Sequence, residues 1–149
     1  MQQQSSLPEK AAAYFKHGYN CAQSILLTMQ QYYNLPESES IPKIATAFGG
    51  GIGRCGSLCG ALTGAVMAIG LKHGTNEPIL EKRMNAYLLA REFYKQFVKE
   101  FGSPFCRELI GYDLTNPEEL EKAQASKMFE KKCSKFVART IEILMAKIP

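Results

Sequence analysis

The sequence has almost none of the patterns that mark a β-protein. No segment alternates apolar and polar residues for long, and no Asn-Gly or Asp-Gly pair is present to form a tight hairpin turn. Several segments instead repeat apolar residues with the 3.6-residue period of a helix. We therefore predict an all-α protein, a compact helical bundle forming a single domain over residues 1–149, with residues 1–7 as a frayed tail.

The chain also lacks a hydrophobic run long enough for a membrane span. The longest apolar run without a charge, Leu58 to Leu71, is shorter than the roughly 20 residues that a transmembrane helix needs. We expect it to form a buried, glycine-rich helix at the centre of the bundle. The N-terminal residues MQQQSSLPEK have neither a basic start nor an apolar segment, so we expect no secretory signal and a cytoplasmic location.

Charge of one sign is not concentrated in any part of the chain. The formal net charge is +4, and Lys and Arg alternate with Glu along the helical segments. Because no basic stripe is available to contact phosphates, we predict that the protein binds no nucleic acid.

Several common catalytic and metal-binding patterns are missing as well. There is no C-x-x-C pair of the thioredoxin or zinc-ribbon type, and neither an H-E-x-x-H motif nor a catalytic triad pattern supports a hydrolase. The two histidines, His17 and His73, each stand between Lys and Gly at the end of a predicted helix. We interpret both as partners of the helix dipole rather than as catalysts or ligands.

Glycine is concentrated in residues 49–64, GGGIGRCGSLCGALTG. Residues 51–56 match the G-x-G-x-x-G of dinucleotide-binding proteins, but no strand is predicted before them, and no Gly-Lys-Ser or Gly-Lys-Thr ends the loop as in a P-loop. Gly56, Gly60, Gly64 and Ala68 recur every four residues and so share one helix face. We predict that these glycines form a sharp turn and allow close packing against another helix.

Apolar periodicity and end signals predict seven helices. They cover about residues 8–17, 21–33, 42–48, 59–72 and 77–101, a short helix from 104, and 117–148. In the fifth helix we expect one face to point inward, comprising Leu80, Met84, Tyr87, Leu88, Phe93 or Tyr94, and Phe97.

Three of the five cysteines fall at predicted helix starts. Asn20 precedes Cys21, Ser57 stands two residues before Cys59, and Ser103 with Pro104 precedes Cys106. Free N–H groups at a helix N-terminus favour a thiolate, so we expect lowered pKa values there. Cys133 lies in the middle of a predicted helix and by itself is interpreted as a core residue, whereas Cys55 lies in the glycine loop beside Arg54.

With these residues in view, the chain resembles the C_GCAxxG_C_C family, small helical proteins named for their cysteine pattern and described as redox-active. The resemblance covers most of the chain. Its most specific parts are GYNCAQ at residues 18–23, CGALTG at residues 59–64, and two later cysteines. It implies that the four characteristic cysteines of the family are Cys21, Cys59, Cys106 and Cys133, and that Cys55 is not one of them.

Three functions are compatible with these cysteines. The first is a redox-active protein, an oxidoreductase in which a thiolate, foremost Cys59, attacks an oxidised partner and a second cysteine resolves the mixed disulfide. The partner would be a redox protein or a small thiol or disulfide. The second is a metal-binding protein, in which Cys21, Cys59, Cys106 and Cys133 hold an iron–sulfur cluster or zinc. The third is a helical interaction protein with structural cysteines. The first two predict that the four sulfurs lie together.

Overall fold

A computed structural model describes residues 5–149, and within that range the chain forms α-helices and no strand. The prediction of an all-α protein is confirmed. A 3₁₀ turn, Thr46–Phe48, follows α3, and a π-helical turn, Phe129–Cys133, precedes α8. The α-helices are α1 Leu7–Lys16, α2 Cys21–Tyr32, α3 Ser40–Ala45, α4 Gly60–His73, α5 Leu80–Phe101, α6 Cys106–Ile110, α7 Pro117–Ala125 and α8 Ser134–Lys147.

The expected frayed tail is shorter than residues 1–7. Ser6 caps α1 by accepting a hydrogen bond from the Glu9 N–H, the Glu9 carboxylate accepts one from the Ser6 N–H, and the helix begins at Leu7. This reciprocal capping box starts the helix one residue earlier than apolar periodicity indicated. Residues 1–4 of the expected tail lie outside the described residues.

Helix α4 lies at the centre of the bundle, as predicted, and packs most extensively against α2. Eight of its residues are buried, from Gly60 through Ala65 together with Ala68 and Ile69. The glycines set the distance between the two helices, because a Cβ on Gly64 would lie 2.8 Å from the carbonyl oxygen of Ala22. The prediction that this glycine face allows close helix packing is confirmed for Gly60 and Gly64, whereas Gly56 lies in the loop before α4 with φ +72° and is not part of the helix.

The C-terminal part of the chain differs from the prediction of one helix over residues 117–148. Helix α7 ends at Ala125, and Lys127 adopts the left-handed conformation with φ +56°. The chain then resumes as the π-helical turn and continues into α8. A left-handed residue cannot continue a right-handed helix, so the two segments take different directions although the sequence between them has neither Gly nor Pro.

The prediction for the apolar face of α5 is wrong for most of its residues. Phe93 and Phe97 are buried, but no residue from 80 to 92 is buried. The part of α5 from Leu89 onward therefore packs against the core. Periodicity alone did not show at which residue of the helix this packing begins. The exposed apolar residues on this helix are Leu80, Met84, Tyr87, Leu88 and Tyr94.

In the part of the chain that the structure describes, no helix is both long enough and apolar enough to cross a membrane.

Candidate functional site: a cavity lined by four cysteines

A cavity of about 470 Å³ lies where the first turns of α2, α4 and α6 meet the π-helical turn. The four cysteines that the family resemblance singled out all line it: Cys21, Cys59, Cys106 and Cys133. Cys21 is half-buried, whereas the other three are no more than 7% exposed. Cys55 does not line the cavity and is exposed on the surface.

Asn20 positions Cys21 at the first residue of α2. Its side-chain oxygen accepts a hydrogen bond from the Gln23 N–H at 2.9 Å, and the Gln23 side chain accepts one from the Asn20 N–H at 3.1 Å. The Asn20 amide also donates to the Thr46 carbonyl at 2.8 Å, which ties this helix start to the segment before the glycine loop. The expected cap is therefore present and holds Cys21 against the cavity.

Cys59 is itself the N-cap of α4, so the prediction that Ser57 caps this helix is wrong. The Ala61 and Leu62 N–H groups face the Cys59 sulfur and lower its pKa, although neither forms a hydrogen bond of regular capping geometry. Two backbone hydrogen bonds hold the chain here: the Cys59 N–H donates to the Pro104 carbonyl at 2.8 Å, and the Cys106 N–H donates to the Ser57 carbonyl at 2.7 Å. This pair of bonds forms an antiparallel bridge between Leu58 and Phe105 and links the start of α4 to the start of α6.

Cys106 begins α6, and Phe105 rather than Ser103 occupies the cap position. The Ser103 hydroxyl accepts a hydrogen bond from the Phe105 N–H at 3.0 Å and bonds the Glu108 carboxylate, so it shapes the turn before the helix. A Cβ on Gly51 would lie 2.7 Å from the Cys106 Cβ. A glycine is therefore needed at position 51 for Cys106 to lie where it does.

The glycine loop is a left-handed turn. The five consecutive residues from Gly50 to Arg54 have φ between +54° and +71°, and two of them, Ile52 and Arg54, are not glycine. The N–H groups of residues 52–57 all donate to backbone carbonyls. A 3₁₀ turn rather than a strand precedes the loop, and backbone carbonyls accept from these six N–H groups. The loop therefore lacks the strand that a dinucleotide site requires.

Cys21 and Cys133 both line the cavity, and the interaction between their side chains is the main influence on the pKa of each. It raises the pKa of Cys21, as does burial, and lowers the pKa of Cys133, which the charge of Lys132 lowers further. Two interacting thiols titrate as a pair rather than independently. Sequence analysis placed Cys133 in the core and offered no signal for this pairing, because it depends on where the π-helical turn directs the side chain.

The pKa values of the other two cavity cysteines are raised, contrary to the expectation from helix starts. Burial raises the pKa of Cys59 to about 11, against the lowering by its two facing N–H groups, and raises that of Cys106 to about 12. A thiolate on Cys133 would add to both shifts. Desolvation therefore outweighs the helix N-terminus at these positions, and Cys133 rather than Cys59 is the cavity cysteine whose pKa is lowered.

Arg54 is a cavity residue that sequence analysis named only as a neighbour of Cys55. Its exposed side chain lines the cavity together with Gly49, Gly50 and Gly53. One signal for it exists in the sequence, because Arg54 is the only charged residue between Lys43 and Lys72.

The thiols of all five cysteines are free, and the cavity contains no disulfide. Over residues 5–149, no group of three or more His, Cys, Asp or Glu side chains is arranged to hold a metal ion.

Comparison with known proteins agrees with the cysteine pattern. The family model described as "Putative redox-active protein (C_GCAxxG_C_C)" matches residues 19–147. An uncharacterized protein of Archaeoglobus fulgidus is 28% identical over 137 residues, covering 87% of this chain and 84% of that protein. No solved structure matches the chain. Since the family model covers most of the chain and all four cavity cysteines, the chain belongs to the C_GCAxxG_C_C family of putative redox-active proteins.

Proposed function

We propose that the protein is a thiol–disulfide oxidoreductase in which Cys21 and Cys133 form the reacting pair. The observation that carries this proposal is that Cys21 and Cys133 line one cavity with two further cysteines and interact there, which lowers the pKa of Cys133. A thiolate is the nucleophile in disulfide exchange, and a neighbouring thiol that donates to it is placed to resolve the product.

The exchange transfers two electrons from the protein to a disulfide. The Cys133 thiolate attacks one sulfur of the substrate disulfide, whose S–S bond breaks and releases the first product as a thiolate, which takes up a proton. Cys21, after losing its proton, attacks the Cys133 sulfur of the mixed disulfide and releases the second product thiol. Cys21 and Cys133 end as a disulfide, the substrate ends as two thiols, and the reverse sequence oxidises thiols.

Cys59 and Cys106 form the second thiol pair of the proposed site. An antiparallel bridge between Leu58 and Phe105 links their segments, and both line the same cavity. Their raised pKa values keep them protonated near neutral pH. A protonated thiol attacks slowly, so this pair reacts after Cys21 and Cys133.

Thiol counting during oxidation tests the proposal. Protein purified anaerobically is analysed for metal and then titrated with 2-hydroxyethyl disulfide, and the disulfides formed are assigned by peptide mass spectrometry. We expect two thiols to be lost first, as a bond between Cys21 and Cys133. Cys133→Ser abolishes this loss, whereas Cys55→Ser, at an exposed cysteine outside the cavity, leaves it unchanged.

Two outcomes would overturn the proposal. If no paired loss of thiols involves a cavity cysteine, the exchange reaction is wrong. If iron or zinc is bound in stoichiometric amount and is lost in Cys133→Ser, the cavity cysteines are metal ligands, which is the alternative raised from the sequence.

A further inference from the structure

We infer that the cavity selects small disulfides and thiols that carry a carboxylate, and that Arg54 binds this group. The inference rests on the proposed function and adds the class of substrate. Among the described residues that line the cavity, Arg54 is the only charged one, and no acidic residue accompanies it. The walls are otherwise formed by the four thiols, by Asn20, Thr46 and Gln124, and by small or apolar residues.

The Arg54 guanidinium is available to a ligand. Within residues 5–149 it takes part in no ion pair and no side-chain hydrogen bond, whereas Arg107 and Arg139 each bond a carboxylate of the chain. A guanidinium stays charged at all physiological pH values and presents paired N–H donors that match the two oxygens of a carboxylate. A substrate carboxylate entering this cavity therefore meets one guanidinium and no Asp or Glu side chain.

The backbone holds Arg54 at the cavity in an unfavourable conformation. Its φ is +67°, a left-handed value that costs a non-glycine residue roughly 1–2 kcal/mol. The side chain packs directly over Gly50, where a Cβ would lie 2.8 Å from both the Cα and the Cγ of Arg54. The Arg54 N–H also donates to the Gly49 carbonyl at 3.1 Å. The surrounding loop thus maintains a strained residue beside the thiols, a feature typical of functional positions.

The size and lining of the cavity suit a small molecule with an aliphatic body. Its volume of about 470 Å³ lies within the range of about 300–1,000 Å³ typical of small-molecule sites. Phe15, Phe129 and Phe136 supply apolar surface opposite the charged residue. A carbon chain bearing a disulfide at one point and a carboxylate at its end matches this combination of thiols, apolar wall and single cation.

Three disulfides of similar length and different charge test the inference. They are 3,3′-dithiodipropionate, which is anionic, 2-hydroxyethyl disulfide, which is neutral, and cystamine, which is cationic. The rate at which each forms the bond between Cys21 and Cys133 is divided by its rate with a small free thiol, which corrects for intrinsic reactivity. We expect the corrected rate to be highest for the anion and lowest for the cation.

Variants of Arg54 test whether this residue causes the preference for the anionic disulfide. Arg54→Gln should lower the corrected rate with dithiodipropionate by about 10-fold or more, the loss expected for one charge-assisted hydrogen bond, and leave the rate with 2-hydroxyethyl disulfide unchanged. Arg54→Lys keeps the charge but lacks the paired donors. Its corrected rate with dithiodipropionate should therefore lie between those of the wild type and Arg54→Gln. Arg91→Gln removes the same charge from α5, outside the cavity, and should alter neither rate.

The outcomes distinguish the inferred role of Arg54 from the proposed thiol–disulfide exchange. If 2-hydroxyethyl disulfide oxidises the cavity cysteines but charge makes no difference in the wild type, or Arg54→Gln slows all three disulfides equally, the role of Arg54 is refuted and the exchange reaction stands. If none of the three disulfides reacts, the proposed function fails and the substrate class fails with it. The unchanged rate with the neutral disulfide also shows that Arg54→Gln is correctly folded.

Discussion

Cys21 and Cys133 interact inside the cavity, and this contact joins the first residue of α2 to the π-helical turn before α8. It lowers the pKa of Cys133 and raises that of Cys21. The remaining cavity cysteines, Cys59 and Cys106, are held by burial as protonated thiols. The order in which the four cysteines react follows from this difference.

Removing the donor should raise the pKa of Cys133. In Cys21→Ala the burial of Cys133 remains but the hydrogen bond that lowers its pKa is lost. Cys21→Ser keeps a hydroxyl donor and should cause a smaller rise. The measurement is the rate of Cys133 alkylation by iodoacetamide as a function of pH, followed by peptide mass spectrometry. An identical pH profile in wild type and Cys21→Ala would show that the bond does not stabilise the thiolate.

Alkaline pH should lower the free energy of unfolding through Cys59. The pKa of Cys59 is about 11 in the folded protein, above the value of about 8.5 for an unfolded thiol. The unfolded state therefore loses this proton first, and the stability that Cys59 contributes is complete below about pH 8.5 and is lost as the pH rises through the folded value. Urea unfolding at several pH values from about 8 to 10 should show that the free energy of unfolding decreases as the pH rises, and that this decrease is smaller in Cys59→Ala. Cys55→Ala, at an exposed thiol, is the control, and it should leave the decrease as large as in wild type.

Two glycines of α4 should respond in opposite directions to a larger side chain. Gly64→Leu should destabilise by about 1–3 kcal/mol or more through overpacking, since even a Cβ there would contact the backbone of Ala22. Gly70→Ala should stabilise by about 0.5–1 kcal/mol, because nothing lies within 4 Å of the added Cβ and alanine favours a helix. Thermal unfolding monitored by circular dichroism compares the two. Equal effects would contradict the close packing of α2 on α4.

Relief of backbone strain at Lys127 should stabilise the protein. Lys127→Gly allows φ +56° without a Cβ penalty, and we expect a gain of about 1 kcal/mol. Lys122→Gly, in the interior of α7, is the matched control and should destabilise by about 1 kcal/mol through lost helix propensity. Both are measured by urea unfolding. A loss of stability in Lys127→Gly would mean that the break between α7 and α8 is not left-handed at this residue.

Much of the fold was predictable because its signals act over a few residues. The capping box of Asn20 and Gln23 begins α2 at Cys21, as the sequence indicated, and the four-residue spacing of glycines in α4 produces the face that packs on α2. Caps and periodicities involve neighbours within about one helical turn, so they can be identified from the chain alone. The helix break at Lys127 carries no such local signal, because no glycine or proline marks it.

The sequence by itself determined the helical class, the central glycine-rich helix and the four cysteines that now line one cavity. Only the tertiary structure decided how these cysteines differ. At Cys59 the local signal, N–H groups that lower the pKa, is present but is outweighed by burial among residues distant in sequence. At Cys133 the larger lowering of the pKa comes from Cys21 across the bundle, and the neighbouring Lys132 adds a smaller one. Desolvation and hydrogen bonding depend on which atoms surround a group in space, so the reactivity of each thiol is set by the assembled bundle rather than by its own segment.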